Sequence, residues 1–343
     1  MFEDFYGNSA AVDTLKAMVA ANRIPQTILL EGPQGVGKAT LARKLAAAVL
    51  GNGALIERDD LSLEANAEIV ADREKWPAEK RNEEPLFFSS HPDFLTFPPD
   101  GPMRQISIPQ MRLLREQAQY LPMKGSRRVF LIDRLDKAND QAANSLLKTL
   151  EEPPPYLILL ATAENAYDLL PTIRSRSVPI RLAPLSKEEM QLYVKSRDLD
   201  ASERRLALAG GSPGVAMSLD LEVFDKRRKA MLALLSAASG VSPFGSWVRY
   251  SETLSASKSE RLEDYLHVLY QLLEDLVRVA HDVPPERNAD VKKELTEIAR
   301  AVHFEWIEKA VRQTDDLVEL VRRNIQKGLA LDAMVVSLAG ARR

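Results

Sequence analysis

Thr27-Ile28-Leu29-Leu30-Glu31-Gly32-Pro33-Gln34-Gly35-Val36-Gly37-Lys38 runs from an apolar stretch suited to a buried strand, through a glycine-rich turn, into a helical stretch over 38–50. Gly35 and Gly37 let the backbone bend so that consecutive N–H groups point into one concavity. The helix start behind them favours anions, and Lys38 adds a mobile positive charge. In this strand–turn–helix context the stretch fits the Walker A phosphate loop. The candidate nucleotide-binding residues are Gly32, Gly35, Val36, Gly37, Lys38, Ala39 and Thr40. Ala39 stands where a serine or threonine hydroxyl would hold Mg²⁺. Thr40 is one position further on, turned about 100° around the helix. Nucleotide (ATP or ADP) is therefore the ligand the loop implies, magnesium-dependent hydrolysis is not expected, and it stays open whether any nucleotide is held.

Outward from this loop, short apolar runs alternate with helical stretches. Strands are expected at 94–97, 129–132, 157–161 and 178–180, the last at a sheet edge because Pro179 cannot donate to a ladder. Helices are expected over 111–121, opened by Pro109, and over 139–152, stopped by Pro153-Pro154-Pro155. The alternation predicts an α/β P-loop domain with a parallel sheet over 1–183. Residues 57–84 break the rhythm: more than half are charged, so the segment reads as an exposed insertion with helical pieces. From Pro184 the strands stop. Ser186 and Glu189 fit a capping box that opens a small helical lid over 184–221. Beyond it, 222–343 is helical in pattern, with apolar residues recurring at three and four over 262–280 and 304–320.

Composition removes several chemistries. There is no cysteine, hence no disulfide, thiolate zinc site or cysteine nucleophile. The four histidines, His91, His267, His281 and His303, lack metal-ligand spacing, and no serine lies in a G-x-S-x-G elbow. A net charge of -3 gives no global nucleic-acid signal; Arg322, Arg323 and Lys327 read best as solvated helix surface. The start of the sequence does not resemble a signal peptide, and no apolar run approaches the ~20 residues of a membrane span. A cytoplasmic protein without membrane contact is expected.

Val129-Phe130-Leu131-Ile132-Asp133 fits Walker B, whose strand-end carboxylate helps to hold a metal. Taken alone, Asp133 could equally cap a turn. The next residue, where a water-activating glutamate is usual in AAA+ ATPases, is Arg134, which cannot act as a base. Asp136–Asn139, Ala142–Pro154, Leu159–Thr162 and Thr172–Ser177 together resemble AAA+ clamp-loader subunits. Within that family the opening Phe2–Gly7, the triplet His91-Pro92-Asp93, and Gly211-Ser212-Pro213-Gly214 are most similar to the delta-prime subunits of bacterial DNA polymerase III; Arg323–Leu331 is similar to the family's last helix.

The resemblance implies a non-motor subunit of a hetero-pentameric clamp loader, partnered by motor subunits and a delta subunit. It meets the sliding clamp indirectly and primer–template DNA within the complex. It implies a helical oligomerisation (collar) domain over 222–343, a sensor 1-like Thr162, and a trans arginine finger at Arg176, with Arg174 as a supporting charge. The sensor 2 arginine of active loaders falls at about Gly214. The family's four zinc-binding cysteines are absent, their place taken by 57–84, so no zinc is expected. Little or no intrinsic ATPase is implied, in a component of the DNA-directed DNA polymerase III holoenzyme. The alternatives are an active clamp-loader motor, and an unrelated P-loop NTPase or kinase, for which no phosphoryl-acceptor site is visible.

Overall fold

The computed structural model describes residues 2, 4–199, 202–256, 260–321 and 325–341; Arg322, Arg323 and Asn324 lie outside them. Five strands, β1 (Thr27–Glu31), β2 (Phe94–Phe97), β3 (Arg128–Ile132), β4 (Leu157–Ala163) and β5 (Val178–Arg181), form one sheet in the order β2-β3-β4-β1-β5. Every pairing is parallel, with Ile28 opposite Leu160 and Phe94 opposite Val129. This is an open, all-parallel sheet of the α/β class, as expected. β5, with its proline, lies at the edge as expected.

Both faces of β1 to β4 are buried, which is why these strands read as nearly unbroken apolar runs, while in edge strand β5 only Ile180 is buried. The period-2 alternation divides them. Leu29, Phe130, Ile132 and Leu159 pack into one core with residues of α6 (Ile108–Gln117) and α7 (Asp140–Glu151). Ile28, Leu30, Leu131 and Leu160 pack into the other with α1 (Ser9–Ala20) and α2 (Lys38–Leu50).

The insertion holds α3 (Gly53–Glu57), α4 (Glu64–Arg73) and α5 (Ala78–Glu83). Its pieces are helical and most of its residues are exposed, as expected, but it is anchored by a few buried polar side chains. Arg73 is 5% exposed and bonds Asp100 through both oxygens, at 3.0 and 2.7 Å. Buried Asp59 accepts the Ser90 N–H at 3.0 Å, and Asn66 donates to the carbonyls of Arg58 and Asp60 at 2.7 and 2.8 Å. Arg43 of α2 reaches back to Glu57 at 2.9 Å and also bonds Asp60. A charged segment can be anchored when its ions are paired, and pairing is the condition that composition does not reveal.

One helix is shorter than its pattern. α6 opens on a full capping box between Ser107 and Gln110 and ends at Gln117, not 121. Arg128 bonds the carbonyls of Gln117 and Tyr120, and buried Asp93 accepts the N–H groups of Met123 and Lys124, each at 2.7 Å. These tertiary bonds take the backbone out of the helix. They also give the His91-Pro92-Asp93 triplet a physical task, since His91 Nδ1 accepts the Asp93 N–H at 3.1 Å and so orients the carboxylate's segment.

The remaining helices are α8 (Pro171–Arg174), α9 (Lys187–Ser196), α10 (Glu203–Ala209), α11 (Pro213–Ser218), α12 (Leu221–Ser239), α13 (Gly245–Ala256), α14 (Leu262–Ala280), α15 (Lys292–Ala301), α16 (Phe304–Val321) and α17 (Lys327–Ala339). The chain divides into two compact units, Met1–Leu199 with Gly211–Met217, and Asp200–Gly210 with Ser218–Arg343. Residues 184–221 are thus shared: α9 belongs to the first unit and α10 to the second. The second unit has its own core, in which Trp247 is fully buried and donates to Asp332 at 2.6 Å, while Trp306 donates to the Leu338 carbonyl at 3.0 Å. Among the described residues no helix is long and apolar enough to cross a membrane.

Candidate functional site

The carboxyl ends of β1, β3 and β4 bring the loop, the strand-end acid and the sensor-like threonine to one edge of the sheet, where ligands bind in open α/β folds. Gly32, Gly35 and Gly37 all have positive φ, and Gly37 is the residue before the first turn of α2. Two of them are also needed for space. A Cβ on Gly32 would lie 2.1 Å from the Leu182 carbonyl oxygen, and one on Gly35 2.9 Å from the Val215 nitrogen. Val36 is buried, and Ala39 and Thr40 are half-buried on α2.

Lys38 is almost wholly buried and turns back on its own loop, donating to the carbonyls of Gly32 at 2.6 Å and Pro33 at 2.7 Å. Burial lowers its pKa, against the opposing pull of Glu164, Asp133 and Asp136. Gly214 lies directly on the loop: its N–H donates to the Gly35 carbonyl at 2.8 Å, and a Cβ there would sit 3.0 Å from Gly35 Cα. The position read as sensor 2 thus contributes backbone contact to the loop where an arginine would contribute charge.

At the end of β3, Asp133 accepts from the Thr162 hydroxyl at 2.6 Å, and that hydroxyl accepts the Arg134 N–H at 2.7 Å. Arg134 is in the left-handed region, φ 57° and ψ 55°, and its guanidinium donates to Glu164 at 2.7 Å. Behind them Asp136 is desolvated, which raises its pKa, and it accepts from the Glu164 N–H at 3.4 Å. The glycine-lined backbone with a helix start behind it fits a phosphate group. The residues fit its magnesium less well: Ala39 brings no hydroxyl, and Asp133 gives one of its two oxygens to Thr162. Among the described residues no group of three or more His, Cys, Asp or Glu is placed to hold a metal.

Arg176 stands apart from this cluster, on the exposed turn after α8. Its guanidinium donates to the Thr172 carbonyl at 3.0 Å and to Glu151 at 2.9 Å. Arg174 lies over the Tyr167 ring, 4.8 Å from its centroid. The partners Glu164 and Glu151 are not legible from local sequence, because each meets its arginine across 25 residues or more.

The family described as DNA polymerase III, delta subunit, matches over residues 7–186, just over half of the chain. A DNA polymerase III subunit delta' from Pseudomonas aeruginosa is 32% identical over 200 residues, covering 56% of this chain and 54% of that protein. The Escherichia coli protein of the same name is 31% identical over 214 residues, covering 61% and 62%. A DNA polymerase III subunit gamma/tau from Mycobacterium bovis is 29% identical over 191 residues, covering 53% of this chain and 29% of that protein. The matches therefore span little more than half the length of the two delta' relatives.

Proposed function

Because this chain belongs to the DNA polymerase III delta subunit family and is similar to proteins named DNA polymerase III subunit delta', we propose that it is the non-motor delta-prime subunit of a bacterial clamp loader. It works in the cytoplasm within a hetero-pentamer of motor subunits and a delta subunit. The complex places the sliding clamp on primer–template DNA. The 222–343 helical region serves as the collar that joins the subunits, and Arg176 acts in trans on ATP held by a neighbouring motor.

The observation that carries this reading is Arg134 at the end of β3, tied to Glu164. Hydrolysis needs a proton acceptor at that place, and loss of a positioned base costs about 10²–10⁴ in rate. A permanently charged guanidinium cannot supply one. The same chemistry suits a guanidinium to the opposite role, since an exposed arginine can stabilise developing charge on a γ-phosphate bound next door. The loop of this chain is then a phosphate-shaped remnant, ATP or ADP being the ligand its backbone would take.

Reconstitution of the loader with Arg176→Ala tests the reading. The clamp- and DNA-stimulated ATPase of the complex should fall about 10³-fold at the dependent site, even when Lys38 of this chain is also replaced. An unchanged rate would remove the trans role. The gamma/tau relative favours one second reading, an active motor. That reading requires the isolated chain to hydrolyse ATP in a Lys38-dependent manner, whereas a non-motor subunit shows no such turnover.

A further inference from the structure

We infer that Glu151 is a positioning residue for Arg176, holding the guanidinium in the orientation from which it meets a phosphate on a neighbouring subunit; this rests on the trans-finger role proposed above. Arg176 is carried by a tight turn. Its N–H bonds the Ile173 carbonyl at 3.1 Å, while the hydroxyls of Ser175 and Ser177 bond the carbonyls of Thr172 at 3.2 Å and Ile173 at 2.8 Å. The two serines thus satisfy the last carbonyls of α8 and fix the backbone beneath the arginine. The side chain beyond that turn is long, and side-chain freedom would spread its charge over a wide arc.

Two bonds remove that freedom. One guanidinium nitrogen donates to Thr172 O at 3.0 Å and the other to Glu151 Oε1 at 2.9 Å. Glu151 is well suited to be the fixed end. It closes α7, whose Leu146 and Leu150 are buried, and the Pro153 and Pro154 carbonyls just beyond are held by Gln26. α7 also packs against α8. A guanidinium has five N–H donors, so two internal bonds leave three for a phosphate. Both side chains are partly exposed, 35% for Arg176 and 49% for Glu151, so the pair orients the arginine without sequestering it. Glu152, next in sequence, makes no bond to Arg176, and only the three-dimensional arrangement distinguishes the two acids.

The test is steady-state ATP hydrolysis by the reconstituted loader with wild-type motor subunits, sliding clamp and primed DNA. Glu151→Ala should lower kcat about threefold to fivefold with KM unchanged, the scale expected for an exposed ion pair that acts on the transition state. Glu151→Gln keeps an acceptor oxygen and should stay within about twofold of wild type. Glu152→Ala removes the same charge and should leave kcat unaltered. In an Arg176→Ala background, Glu151→Ala should add nothing. The proposal is overturned if Glu151→Ala leaves or raises kcat, if Glu152→Ala matches it, or if the losses add. Should Arg176→Ala itself have no effect, the trans-finger role fails and this role with it. Should Arg176→Ala slow the complex and Glu151→Ala not, only the positioning role fails. Thermal midpoints of the isolated variants and their co-elution with partner subunits keep folding and assembly in view.

Discussion

Arg134 shows how one residue can close a catalytic position by more than its inability to accept a proton. Its amide holds Thr162, Thr162 holds Asp133, and its guanidinium holds Glu164. Restoring a glutamate there would set a third carboxylate beside Asp133 and Glu164, with desolvated Asp136 behind them, and like charges so placed resist ionising together. Arg134→Glu alone should therefore leave the isolated chain without ATP turnover, because on the proposed reading Ala39 and Gly214 stand where a hydroxyl for metal and a guanidinium for the γ-phosphate are needed. Lys38-dependent phosphate release by that variant would show that Arg134 was the sole missing part. His91 offers a second test at this scale. It is 2% exposed, and its Nδ1 must be unprotonated to accept the Asp93 N–H. Burial lowers its pKa below the ordinary 6.5, with Asp93 and Asp59 pulling the other way and Lys124 adding to the lowering. Between the lowered folded value and 6.5 the unfolded chain binds more protons, so stability rises with pH through that window and is complete above it. Asp59 and Asp136, both raised by burial, act with the opposite sign, from 3.8 upward. The His91→Asn variant keeps an acceptor but does not titrate. Urea midpoints of wild type should fall between pH 7.5 and pH 5 more than those of His91→Asn; equal falls would assign the loss elsewhere.

At the scale of elements, the insertion is held by ions whose burial differs sharply. Arg73 and Asp100 have side chains 7% and 5% exposed, whereas Arg104 and Glu74 are 36% and 27% exposed. Removing one partner of a buried pair strands the other charge and costs about 3–5 kcal/mol, while an exposed pair contributes about 0–1 kcal/mol. Arg73→Ala should accordingly lower chemical stability by about 3 kcal/mol, and Glu74→Ala by under about 1 kcal/mol, in denaturant titrations. Comparable losses would mean that the Arg73 pair is solvated in solution. These elements also show what was legible beforehand. All five strands announced themselves, because each is a short apolar run bounded by turn residues. α14 (Leu262–Ala280) did too, through its strong three-and-four repeat. The capping box of Ser107 and Gln110 was readable in principle, since S-x-x-Q is a local signal. The end of α6 was not, because Asp93 and Arg128 set it from outside the helix. Glu164 and Glu151 were hidden for the same reason: sequence shows that an arginine is present, and only the fold shows which acid faces it.

At the scale of the whole molecule, the three large apolar cores among the described residues draw on different stretches of sequence. The two sheet cores use residues from Phe2 to Leu182, and the third core residues from Leu208 to Leu338. A lesion in the third core should therefore stay in the second unit. α17 (Lys327–Ala339) places Leu331, Met334, Val335 and Leu338 in that core, each 4% exposed or less. At about 1.5–3 kcal/mol for each fully buried side chain, its removal forfeits about 6–12 kcal/mol. That is comparable with the whole stability of an ordinary domain, about 5–15 kcal/mol. The tryptophans are distributed so as to report the outcome: Trp247 and Trp306 lie in the third core, and Trp76 lies in the insertion. Truncation after Gln326 also removes Asp332 and the Leu338 carbonyl, the hydrogen-bond acceptors of those two indoles. The emission of Trp247 and Trp306, read in a Trp76→Phe background, should shift to the red in the truncated chain. Helical ellipticity should fall while a protease-resistant fragment spanning the sheet persists, and co-elution with loader partners should be lost. Unfolding of the sheet together with the helices would show that the first unit depends on the second, and the separate cores would then not be separate units of stability.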